Sequence, residues 1–184
     1  MAQLRELESL SVKSLINLYY ADESHFSSQG YVPYGWQFKD ERVSIPVEKG
    51  YKINAFAMIS RQNACESVVT TANIDSDFII EFLDRKSLAL TKPTTVVLDN
   101  ASVHKSKKMQ ERIVVWEKRE LYIVFLPTYS PELNIAETLW RRLKASYLRP
   151  EDYATKDDLF YAVNRCLANI GNEINIKFSP FSLN

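Results

Sequence analysis

TTVVLDNASVHKS, residues 94–106, sets an apolar run directly against a carboxylate. Val96, Val97 and Leu98, following Pro93, have the β-branched, non-alternating character of a strand buried on both faces, which predicts a sheet covered by helices on either side. Asp99 stands at the carboxyl end of that strand. An uncompensated carboxylate inside such a core is strongly unfavourable, so its place is the rim, facing a cation or hydrogen-bond donors. In open α/β sheets that rim is where ligands bind. Asp99-Asn100 is also common turn chemistry, in which the side chains bond the backbone, and taken alone that reading accounts for the pair.

Before this stretch the pattern is that of strands. Residues 15–21 form an apolar, aromatic-rich strand that is expected to end at Asp22-Glu23, so a second carboxylate follows a second buried strand. Gly30, Pro33, Gly35, Pro46 and Gly50 mark loops, with short strands expected around Trp36 and Phe38 and over residues 43–47. YKINAFAMIS (51–60) and ESVVTTA (66–72), joined by Arg61-Gln62-Asn63, predict an antiparallel hairpin.

From Asp75 the period becomes helical. Asp75 or Ser76 can cap a helix whose Phe78, Ile79, Phe82 and Leu83 share one face. After Asp99, residues 105–119 place Met109, Ile113 and Trp116 on a stripe of core character. LYIVFL (121–126) is another buried strand ending at Pro127; Asn134 caps a helix running to Tyr147; a last helix covers residues 155–170. Strands first, then helices alternating with strands, predict an α/β fold: a mixed sheet flanked by helices. Residues 1–14 read as a linker or residual helix, 15–170 as the domain, and 171–184 as a C-terminal tail.

Length and composition bound the function. A chain of 184 residues, 46% apolar and 25% charged, is expected to be one ordered globular domain. No apolar run reaches the roughly 18 residues a membrane helix needs, and Glu6 and Glu8 stand where a signal peptide would be apolar, so the expected location is cytoplasmic, with no membrane partner. Cys65 and Cys166, without metal-site spacing, are expected as buried free thiols. Net charge is zero, which argues against a nucleic-acid partner until its distribution is considered. Residues 1–98 carry 10 Lys/Arg against 12 Asp/Glu and residues 150–184 carry 3 against 5, whereas residues 99–149 carry 10 against 6. The basic excess lies in the segment of Asp99.

That segment holds a third carboxylate, Glu137, in the first turn of the helix after Asn134. Capping-box spacing explains it locally. Yet two carboxylates at strand ends and one at a helix start can converge on one sheet edge, where they would repel one another without a cation. Mg²⁺ takes such oxygens and leaves positions open for phosphate, and two ions about 3.5–4 Å apart suit phosphodiester chemistry.

ADESHF, VVLDNASVH and LPTYSPELNIAETLW, in this order, resemble the three signature blocks of the DDE transposases of the mariner superfamily, in particular its bacterial insertion-sequence branch. GYVPYGWQF resembles that family's tryptophan-bearing segment. The resemblance runs from about Tyr20 to Tyr147 and implies a ribonuclease H-like fold, with Asp22, Asp99 and Glu137 as the catalytic, metal-ligating triad. It further implies Mg²⁺ or Mn²⁺ (two ions), hydrolysis at transposon ends and attack of the freed 3′-hydroxyl on TA-containing target DNA. The active complex would be a homodimer, nucleoid-associated in a bacterial cytoplasm. Two departures stand out. Asn134-Ile135-Ala136-Glu137 replaces the usual Asn-Pro-Ile-Glu, and the N-terminal helix-turn-helix recognition domain is expected to be missing, as in a catalytic fragment or one frame of a split element.

Lys105, Lys107, Lys108, Arg141, Arg142 and Lys144 are candidate phosphate contacts, with a solvated helix face as the plain alternative. Trp36 or Tyr129 can stack on a base, and His25 and His104 lie near the triad. Two other functions fit: a nuclease or resolvase of the same fold that only hydrolyses, and a decayed DNA-binding module in which the carboxylates persist as turn and cap residues.

Overall fold

A computed structural model describes residues 2–28, 39–40, 46–101, 106–127 and 130–181. The strands are β1 (Asn17–Ser27), β2 (Lys52–Ile59), β3 (Cys65–Thr70), β4 (Thr94–Leu98) and β5 (Leu121–Phe125), in the spatial order β3-β2-β1-β4-β5. The β1–β2 and β2–β3 pairs are antiparallel, and β1–β4 and β4–β5 are parallel. The helices are α1 (Ala2–Val12), α2 (Ser76–Leu88), α3 (Lys107–Glu117), α4 (Ile135–Arg142) and α5 (Lys156–Ala168). This is the mixed sheet flanked by helices that the order of elements predicts.

Alternation along the central strands divides the core in two. Tyr20, Val97, Ala55 and Ala57 face a layer containing Leu139 and Trp140 of α4 and Leu159 and Val163 of α5. Tyr19, Ala21, Val96, Leu98 and Phe56 face Ile79 and Leu83 of α2 and Met109 and Trp116 of α3. All five residues of β4 are buried, as a strand covered on both faces requires. Helix starts follow local chemistry. Asp75 caps α2 by accepting from Phe78 N at 2.9 Å, Ser106 caps α3, and Thr155 caps α5 by accepting from Asp158 N at 3.1 Å.

Four differences from expectation have physical causes. First, β1 does not stop at Asp22-Glu23 but runs to Ser27. Its antiparallel ladder with β2 continues to Ser27↔Lys52, although its pairing with β4 ends at Tyr20↔Val97. Second, the helix opened by Asn134 is α only to Arg142 and continues as a π turn over Leu143–Tyr147, closed by Leu148 N bonding to Leu143 O at 3.0 Å. Third, α1 packs on the sheet through buried Leu4 and buried Glu8, whose carboxyl accepts from Tyr20 Oη and from Arg61 Nε. Fourth, the segment after α5 is tied down: Asn63 accepts from Ile176 N at 2.7 Å and donates to Ile176 O at 3.1 Å. The strand expected around Trp36 and Phe38, and residues 43–45 of the one expected over residues 43–47, lie outside the described residues, and residues 46–47 are in no strand. Cys65 and Cys166 are free thiols, both pushed up by burial, Cys65 to about 12. No described helix is long and apolar enough to cross a membrane.

Candidate active site

The parallel register of β1 and β4 creates the site. Tyr20 and Val97 are paired and face the α4 layer. Asp22 lies two residues further along β1, paired with Ala57, and so by alternation leaves the sheet on that same side, while Asp99, just past the end of β4, is near enough to act by charge on Asp22 and on Glu137. The two aspartates sit where β4 has ended while β1 continues beside β2 alone. Glu137 comes to the same rim on the first turn of α4, whose Ala136, Leu139 and Trp140 pack on this face.

Asn134 sets that placement. Nearly wholly buried, it accepts from Ala136 N at 3.1 Å and donates to Ala21 O at 3.3 Å, so the residue that caps α4 also ties it to β1 beside Asp22. The Asn134-Ile135-Ala136-Glu137 block thus starts its helix with a side-chain cap. Trp140 extends the anchor, meeting Phe26 of β1 edge to face at 6.2 Å between ring centroids.

Electrostatics follow from convergence. Burial, then the charges of Glu23, Asp99 and Glu137, push Asp22 up to about 7. Glu137 is also raised, by burial and by Asp99 and Glu132. Lys144 lies beside this charge, its ammonium 4.9 Å from the Phe26 ring centroid, and burial holds it below the ordinary lysine range, the attraction of Asp22 offsetting this only in part. Asp99 Oδ1 meanwhile accepts from Ala101 N at 3.1 Å, so the turn chemistry and the rim position hold together.

Carboxylate oxygens are the donor set that hard divalent cations take, and mutual repulsion is what a cation would relieve. Among the described residues, no three metal-binding side chains are already closed into a coordinating group. The two observations differ in range. Like charges act on one another over many ångströms, whereas ligation brings oxygens to about 2.0–2.1 Å from Mg²⁺. Asp22, Asp99 and Glu137 are near enough to act on one another by charge, as the rise of Asp22 and Glu137 shows.

The six candidate phosphate contacts separate. Lys144 stands by Asp22, and the charge of Arg141 partly offsets the rise of Glu137. Arg142 points instead into a cavity beside Asn175 and Lys177. Lys108 bonds Asp77 of α2 at 2.7 Å, which assigns it to the opposite layer. Lys107 is exposed at the start of α3, and Lys105 lies outside the described residues, as do His104, Trp36 and Tyr129. His25 is exposed on β1. The Asn134–Ala21 bond and the Lys144–Phe26 contact escaped sequence reading, because neither has a local signal beyond the block in which it sits.

The sequence profile described as "DDE superfamily endonuclease" matches residues 17–160. No curated protein sequence matches the chain. Among solved structures, the Mos1 mariner paired-end complex with Mn superposes with a TM-score of 0.57 at 14% identity, covering 88% of this chain and 51% of that one. A pre-cleavage Mos1 transpososome gives 0.56 at 13%, covering 88% and 52%, and the Mos1 strand transfer complex gives 0.50 at 16%, covering 91% and 56%. At these identities the likeness is one of fold, which is ribonuclease H-like. The chain spans about half the length of these solved relatives.

Proposed function

Because the chain belongs to the DDE superfamily endonuclease family, we propose that it is the catalytic domain of a transposase of the mariner superfamily, from its bacterial insertion-sequence branch. It cleaves DNA at transposon ends and joins the freed 3′-hydroxyl to TA-containing target DNA, within a homodimer. The observation that carries this reading is the placement of Asp22 and Asp99 at equivalent steps beyond the β1–β4 pairing, with Glu137 above the same face.

Asp22, Asp99 and Glu137 would hold Mg²⁺ or Mn²⁺. When bound, such ions lower the pKa of an attacking water or hydroxyl and stabilise the departing oxygen. Every other task falls to the chain. Asp22, pushed up to about 7 in the metal-free protein, must give up its proton to become a ligand, so loading the site releases protons near neutral pH. Asn134 keeps Glu137 over the strands, and Arg141 and Lys144 offer positive charge to the DNA backbone on either side of the cluster. Lys107, exposed at the start of α3, can share in that contact, Lys105 is a candidate by its sequence position alone, and Lys108 contributes less, given its ion pair with Asp77.

Incubation of the chain with supercoiled plasmid and Mn²⁺ tests the reading. Nicked and joined products are expected from the wild type, and Asp22→Asn, Asp99→Asn and Glu137→Gln should each lower both at least about a hundredfold while remaining folded. Nicking without joining would point to the hydrolysis-only alternative. Any of the three variants retaining half the activity would remove that residue from the ligand set.

A further inference from the structure

A second site lies on the far side of α4. A cavity of about 260 Å³ is lined by Arg142, Ser146, Tyr147, Asn175, Ile176 and Lys177. Two cations and three neutral polar side chains line it, and among the described residues no carboxylate does. Neither Arg142 nor Lys177 has an ion-pair partner among the described residues. Exposed cations are often simply solvated; what sets this pair apart is how firmly both walls are built.

The first wall is the π turn Leu143–Tyr147, which adds a residue to the helical repeat and so swings Ser146 and Tyr147 beside Arg142. It is pinned from behind, where Cys166 Sγ contacts Tyr147 O at 3.7 Å. The second wall is the segment after α5. Gly171 takes φ +83°, and a Cβ there would lie 2.6 Å from Asn63 O, so only glycine permits the close approach. Asn63, itself at φ +63°, grips both backbone groups of buried Ile176. Ile176 thereby fixes its neighbours Asn175 and Lys177 opposite Arg142. Two positive-φ residues and a pincer of hydrogen bonds thus hold the segment carrying Lys177 against a basic helix, an arrangement that core packing alone does not require.

Paired cations with hydroxyl and amide donors around a small cavity suit one phosphate group. Its position selects the source. Arg142 follows Glu137 by five residues on the same helix and lies on its other flank, so a duplex held at the carboxylates and crossing α4 would bring a flanking phosphate to it. We propose that this cavity binds a single phosphodiester of the DNA backbone next to the segment held at the carboxylates, with Arg142 and Lys177 sharing its charge. The inference rests on the DNA-processing reading above and adds to it a contact that orients the duplex without touching the reacting bond.

The test is the salt dependence of duplex DNA binding by the full chain, followed by fluorescence anisotropy with Ca²⁺ present. Each backbone phosphate neutralised contributes a slope of about −0.9 to log K against log salt. Arg142→Ala/Lys177→Ala should lose about one unit of slope and about tenfold or more in affinity, and each single variant should lose most of that, because both cations serve one phosphate. Arg142→Lys, which keeps the charge, should retain the slope. An unchanged slope in the double variant would overturn the site while leaving the DNA-processing reading intact. A loss of two units, one from each residue independently, would also overturn it, replacing one shared phosphate by two separate contacts. If the double variant instead lost only broadening of the ³¹P signal of inorganic phosphate, the cavity would be a free-phosphate site and the proposal would fail. A wild-type chain without affinity for duplex DNA would contradict the DNA-processing reading itself, and the phosphodiester site with it.

Discussion

Asp22 and Asp99 each stand two residues beyond Tyr20 and Val97, the last partners of a parallel ladder, and are near enough for the charge of Asp99 to raise Asp22. Parallel pairing makes this juxtaposition insensitive to side-chain detail, since any residue pair at those steps would be adjacent. What the sequence adds is two carboxylates there and a third from α4, a concentration of like charge that the apolar layer beneath does nothing to relieve.

That charge makes stability depend on pH in the metal-free protein. Asp22 is pushed up to about 7 from an ordinary value of 3.8, so between those values the folded chain retains a proton that the unfolded chain releases. The resulting stability is complete below about pH 4 and is lost as pH rises through about 7. Asn cannot ionise, so wild type should lose on the order of 3 kcal/mol relative to Asp22→Asn between pH 4 and pH 8 in EDTA. Urea unfolding across that range measures it. Parallel profiles for the two proteins would show that Asp22 is not held in a repelling cluster.

Asn134 is expected to matter more than an ordinary helix cap. Asn134→Ala removes the acceptor for Ala136 N and the donor to Ala21 O, both buried. A cap alone is worth about 1 kcal/mol, and an unsatisfied buried carbonyl adds about 1–3 kcal/mol. Cleavage should fall further than stability accounts for, because Glu137 loses its tie to β1. Asn134→Asp keeps an acceptor for the cap but loses the donor; equal cleavage by Asn134→Asp and wild type would show that the tie to β1 is dispensable.

The opposite layer offers a contrast. Asp84 accepts from Trp116 Nε1 at 2.7 Å and from Arg112, with Arg119 at 4.0 Å, and lies behind the sheet from the carboxylates. Asp84→Ala strands the indole N–H of a fully buried tryptophan and should cost about 1–3 kcal/mol. Calorimetry should register that loss while Mn²⁺ affinity stays within about twofold of wild type, since no charge near Asp22 changes. A large drop in metal affinity would imply that the two layers are coupled through the sheet.

Much of this is legible in the sequence alone. Val96–Leu98 identify a doubly covered strand by composition, Asp99 its rim, Arg61-Gln62-Asn63 a hairpin turn, and Asn134 a cap. The extent of β1 is not, because Glu23, Ser24 and His25 look like the start of a turn. The ladder to β2 uses backbone groups and continues past them regardless. Equally hidden were Glu8 and Arg61, which meet across 53 positions, and the π turn after Arg142, which no local pattern announces. Lys108 shows the limit of reading cations by segment. It lies in the basic stretch after Asp99, yet Asp77, far earlier in the chain, claims it. The expectation that Asp22, Asp99 and Glu137 meet at one rim rests on strand order, and the β1–β4 register brings the ends of the two aspartates' strands side by side.

The most direct test of the central claim is an anomalous difference map from crystals of the chain soaked in Mn²⁺. A peak is expected between Asp22 and Asp99, with oxygens of at least two of Asp22, Asp99 and Glu137 coordinated to it. A map without a peak there, and with the three carboxyl groups more than about 10 Å apart, beyond the reach of any shared two-metal geometry, would contradict it.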